Sequence, residues 1–95
     1  MDTMFKNKEI QFTAEVWKEG ALYVSYIPQL DISSCGNTID ESRKNIREAA
    51  ELFIEGLEKN GTLAQVLEEA GFASGDGWKA PEFVAFEKMK VALSL

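Results

Sequence analysis

From Glu9 to Trp17 apolar and polar residues alternate, with Ile10, Phe12, Ala14 and Val16 on one side and Gln11, Thr13 and Glu15 on the other. A period of two with one apolar side predicts a strand with one buried face. Lys18-Glu19-Gly20 reads as a tight connection, the glycine supplying any positive φ that a hairpin requires. Between Ala21 and Ile27, Leu22, Val24 and Tyr26 oppose Tyr23, Ser25 and Ile27, so both sides carry bulk and an inner strand is expected. Pro28 has no N–H and closes that strand. Leu30 to Cys35, with several small polar residues, reads as a third strand at an exposed edge, and Gly36-Asn37 turns the chain.

The period then changes from two to that of a helix. Thr38-Ile-Asp-Glu41 matches a capping box, and Ile39, Ile46, Ala49, Ala50, Phe53 and Leu57 recur on one side of the helix that follows. Asp40 and Lys44, Lys44 and Glu48, Arg47 and Glu51, and Glu55 and Lys59 stand four apart on the remainder. Each such pair contributes only about 0.2–0.5 kcal/mol, so packing must dominate. Asn60-Gly61 is the stop signal. Thr62, with box-like spacing to Gln65, opens a shorter helix whose apolar side is Leu63, Val66, Leu67 and Ala70, and Gly71 ends it. Residues 73–77 read as a flexible loop, and Ala80-Pro81 favours extension. From Glu82 onward alternation returns. Met89, Val91, Leu93 and Leu95 share one side against Lys88, Lys90, Ala92 and Ser94, which predicts a long last strand.

The predicted order is β-β-β-α-α-β within one domain spanning residues 1–95. Three strands in hairpin order form an antiparallel meander. The last strand returns after a helical crossover and is expected to pair parallel with the first. The result is an α+β two-layer sandwich with the long helix over one sheet face.

Composition narrows the functions open to such a domain. Net charge is −6, so the chain as a whole repels phosphate backbones, and direct nucleic-acid binding is not expected. The cations Arg43, Lys44 and Arg47 alternate with Asp40, Glu41, Glu48 and Glu51, as on a solvated helix face. Histidine is absent, which removes the commonest general base and metal ligand. Cys35 is the single cysteine, so neither an intrachain disulfide nor a cysteine-based zinc site can form. No signal peptide or membrane span is visible, and the cytoplasm is the default compartment.

The order of parts around Pro28 resembles the HicB-like antitoxin family. The residues that carry the resemblance are Tyr23-Val-Ser-Tyr-Ile-Pro28, Gln29-Leu30, Gly36-Asn-Thr38 and Ile39-Asp-Glu41-Ser42, with Asn45 and Ala49 continuing the helical pattern. The stretch from Leu63 to Phe72, Trp78 and the terminal strand look like the family's short forms. The resemblance implies a truncated ribonuclease-H-like fold that binds and neutralises a small basic ribonuclease toxin. Two departures matter. Leu30 is followed by Asp-Ile-Ser-Ser-Cys where Pro-Gly-Cys is common. The helix-turn-helix or ribbon-helix-helix segment that many relatives append does not follow the last strand, so operator binding is not carried over.

Each candidate site has a packing or solvated-face role as its alternative. Cations held by Glu15, Asp31 and Glu48 would make a metal-dependent nuclease, but a solvated-face role is open to all three and is the preferred reading. Cys35 has no histidine to activate it, and a packing role suits it better. No cofactor, metal site or enzymatic activity is expected. Trp17 and Tyr23, and beside the family motif Gln29, Leu30 and Asn37, are the candidate contacts for a protein partner. Trp78 and Tyr26 are further aromatic anchors, with core packing as their alternative role. The long terminal strand exceeds the usual length of about 5–6 residues, and its excess suggests a homo-oligomer, at least a dimer. The leading expectation is stoichiometric binding; the alternative is a free-standing oligomeric scaffold or small-ligand-binding module without a toxin.

Overall fold

The computed structural model describes residues 9–94. Its elements are β1 (Glu15–Glu19), β2 (Leu22–Ile27), β3 (Ile32–Gly36), α1 (Ile39–Asn60), α2 (Leu63–Glu69), β4 (Ala73–Gly75) and β5 (Gly77–Lys79). β1, β2 and β3 form an antiparallel meander with β2 in the centre, and β4 and β5 form a separate small hairpin. The α+β class, the inner second strand and the exposed third strand are as the alternation predicts.

Gly20 and Ala21 close the first hairpin in two residues, and Gly20 takes φ +60. β1 is shorter than the alternation from Glu9 suggests, and Pro28 is the reason. The ladder pairs Glu15 with Tyr26, so continuing it would bring Thr13 opposite Pro28, which has no N–H to offer. Gln29 takes over there, its Oε1 accepting from the Thr13 N–H at 3.4 Å. A turn over Pro28–Asp31, with Asp31 at φ 54, leads into β3.

α1 begins as its motif demands. Thr38 is extended, and its hydroxyl accepts from the Glu41 N–H at 3.0 Å. Glu41 reaches back one residue further than a capping box requires, accepting from the Asn37 N–H at 2.6 Å. The helix ends in a Schellman arrangement. Gly61 at φ 71 donates to Glu58 O, and the Thr62 N–H donates to Leu57 O. α2 ends the same way around Gly71, and this turn carries Phe72 inward, where its ring meets Phe12 edge-on at 5.3 Å. Thr62, however, makes no side-chain cap. Of the four-apart ion pairs, Glu55–Lys59 is within 4.0 Å, while Asp40 meets Arg43 instead of Lys44.

The core lies between the meander and α1, where Ile27 and Leu30 pack with Ile46 and Ala50, flanked by Phe12, Ile32, Phe53 and Ile54. Ile39, expected on the apolar side of α1, is exposed, and Ser42 takes a buried place. The close approach of β3 to the first turn of α1 is responsible. A Cβ on Gly36 would lie 2.6 Å from the Ser42 backbone nitrogen, so only glycine lets the strand end meet the helix. Ser25 and Ser42 are both fully buried at this contact and satisfy each other: Ser25 Oγ donates to Ser42 O, and Ser42 Oγ donates to Ser25 Oγ, each at 2.9 Å. Asn45 adds a third tie, its Nδ2 donating to Cys35 O at 2.8 Å.

Two expectations are corrected at the C-terminal end. Residues 73–77 belong to the β4–β5 hairpin, with Gly77 at φ 95 beyond Asp76, and are not a free loop. The long last strand does not return to the sheet: residues 80–94 carry no ladder, and among the described residues β1 remains an edge. Alternation marks a segment that can be half-buried in a sheet, but the hydrogen-bonding partner has to come from elsewhere.

Candidate functional site

The register of the meander sorts its side chains onto two faces. Tyr23, Ser25 and Ile27 of β2, with Val16 and Lys18 of β1 and Ile32 and Ser34 of β3, face α1. Leu22, Val24 and Tyr26, with Glu15, Trp17 and Glu19 and with Ser33 and Cys35, form the opposite face. Among the described residues no helix covers that face.

Its centre is aromatic and aliphatic. Trp17 and Tyr26 meet edge-on at 6.5 Å, with Leu22 and Val24 beside them on β2. Trp17 is 39% exposed and Leu22 42% exposed, enough to offer contact area while still held by neighbours. The surround is acidic. Trp17 Nε1 donates to Glu19 Oε2 at 2.9 Å, and the Tyr26 hydroxyl donates to Asp31 Oδ1 at 2.8 Å. The Tyr26 phenol is therefore held above its ordinary pKa of 10.0, first by that hydrogen bond, then by desolvation, with the charges of Asp31 and Glu15 acting in the same direction. The left-handed backbone at Asp31 is what aims its carboxylate back at β2, and aspartate tolerates that conformation better than most residues.

The five candidate contact residues do not form one surface. Trp17 is at the centre of the open face. Tyr23 faces the other way, with Lys18 Nζ over its ring at 5.7 Å. Leu30 is 7% exposed and belongs to the core, so its place in the motif is architectural. Gln29 is spent on the Thr13 N–H, and Asn37 is exposed at the α1 cap. Leu22, Val24 and Tyr26 are members of the open face outside those five candidates. Their common parity with Trp17 through the hairpin would have found them.

The carboxylates weighed as cation ligands are dispersed. Glu15 and Asp31 flank Tyr26, whereas Glu48 is exposed on α1, across the sheet. Among the described residues no three or more acidic, cysteine or histidine side chains gather as a metal-binding group. Cys35 is exposed on the open face. No helix of the described residues is long and apolar enough to cross a membrane.

A second concave region runs along the helix side of β1. α1 lies over β3 and β2 and barely meets β1. This leaves two adjoining cavities of about 360 and 450 Å³, bounded by Ile10, Phe12, Val16, Ile46, Arg47 and Ala50. Trp78, Lys79 and Ala80 border the same region beside Ile10 and Gln11.

No family model, curated protein or solved structure matches the chain.

Proposed function

We propose that the chain is a HicB-like antitoxin domain, or an orphan relative of one, that binds a small basic ribonuclease toxin and occludes it. The observation that carries this reading is the open sheet face, on which Trp17, Leu22, Val24 and Tyr26 are edged by Glu15, Glu19 and Asp31. Aromatic anchors in a partly desolvated patch supply binding energy, and a surrounding row of carboxylates selects and steers a cationic partner. The meander with α1 across one side supports a truncated ribonuclease-H-like layer as its scaffold. The mechanism is occlusion. A protein that grips RNA needs an exposed basic surface, and an acidic, aromatic face docked on that surface blocks substrate.

The test is co-expression with any small basic protein encoded beside this chain, reading complex formation and inhibition of RNA cleavage. A complex that weakens with added salt and loses about tenfold or more in affinity for Trp17→Ala or Tyr26→Ala supports the proposal. A neighbour that is neither bound nor inhibited, or one bound equally well by both variants, refutes it.

The alternative, an oligomeric scaffold without a toxin, is favoured by the uncovered apolar residues of the C-terminal segment. Self-association alone, with no captured neighbour, would select it.

A further inference from the structure

The segment after Pro81 carries the clearest unmet requirement in the molecule. Phe83, Val84, Phe86, Met89, Val91 and Leu93 are 59–86% exposed. The segment stands away from the body: the radius of gyration is 16.2 Å and the longest extent 58 Å. A compact domain of this length would have a radius of gyration of about 12 Å. Soluble chains rarely leave so much contiguous apolar surface uncovered.

We infer that this segment is an exchange arm, which adds as a strand to the edge of β1, unpaired among the described residues, in a second copy of the chain. Three observations select that occupant and that place. The first is pattern. Met89, Val91 and Leu93 fall on one side of an extended arm, while Lys88 and Lys90 fall on the other. Beside β1, the apolar side enters the cavities lined by Val16, Ile46 and Ala50. The lysine side then lies along Glu15 and Glu19 on the opposite sheet face.

The second is charge. Copies of a chain with net charge −6 repel one another, and a locally cationic segment is where that repulsion is relieved. The stretch from Lys88 to Leu93 has two lysines and no carboxylate.

The third is direction. The arm leaves the body at Ala80 and Pro81, beside Ile10 and Gln11 and with the Pro81 ring against Gly71. From Trp78 to Leu95 there is no glycine, asparagine or aspartate to reverse the chain tightly, and Pro81 keeps Ala80 extended. An outgoing arm reaches a neighbour more readily than its own sheet. Two copies exchanging arms close a two-fold dimer and cover both β1 edges. This assembly does not depend on the toxin partner proposed above.

Light scattering of the full chain tests it. The expected mass is twice the single-chain 10.6 kDa, falling to 10.6 kDa for Val91→Asp/Leu93→Asp, with an unchanged far-ultraviolet spectrum. A second arm leaves the apolar residues intact. In a Cys35→Ser background, a chain with Glu15→Cys is mixed with a chain with Lys90→Cys, and oxidation is expected to give the mixed covalent dimer. A single-chain mass for the unmodified protein overturns the inference, as does a dimer that survives both aspartates. So does a Glu15→Cys/Lys90→Cys double variant whose disulfide closes only within one chain.

Discussion

The two faces of β2 invert what their residues suggest. Leu22, Val24 and Tyr26 are the more uniformly apolar set, yet they lie on the open side. The side with a serine at its centre is the one that α1 covers. Close approach decides this. Gly36 and Ser42 let the strand end and the helix come together, and at that distance a serine pair fits and satisfies its own hydroxyls. The larger apolar residues are left facing out, where they supply a binding surface instead of a core. A buried face is therefore selected by shape as much as by hydropathy.

Substitutions on the two faces should separate accordingly. Ile46→Ala, under the helix, should destabilise the fold most, by about 2–5 kcal/mol in denaturant unfolding. Gly36→Ala should cost about 1–3 kcal/mol, because the added methyl meets helix backbone that cannot step aside. A neutral result there would show that α1 does not approach β3 this closely. On the open face Leu22→Ser should shift stability by no more than about 0.5 kcal/mol. A larger loss would mean that this face is covered in the protein by itself. The smallest effect is one that alkali removes. A phenol whose folded pKa is raised contributes stability that is fully present below its unfolded value of 10.0. That stability is lost as pH rises through the folded value. Asp31→Asn should lower the Tyr26 titration toward 10.0 in an absorbance titration, with a small loss of stability at neutral pH that disappears in alkali.

Much of the local architecture is legible in the residues. The Thr38 cap, the Gly61 and Gly71 stops, the Pro28 strand end and the central position of β2 each follow from one side chain or one missing N–H. The motif around Pro28 and Gly36 is likewise architectural. Leu30 is core, Gln29 replaces a lost ladder bond, and Ser42 and Asn45 lock the helix to the sheet. The candidate site was legible only in part. Trp17 stands where a contact residue should, but Tyr23 differs from it by one step in register, and in a strand one step changes the face.

The sequence by itself determined where elements start, stop and turn, because caps, prolines and left-handed glycines act within a few residues. Only the tertiary structure decided which side of the meander α1 covers, because that depends on the fit between Gly36, Ser25 and Ser42 across distant parts of the chain. It also decided the state of the C-terminal alternation, which sequence reads as a strand and the fold leaves unpaired. A strand needs an edge to add to, and the outer edges of β1 and β3 both lie outside the reach of local pattern.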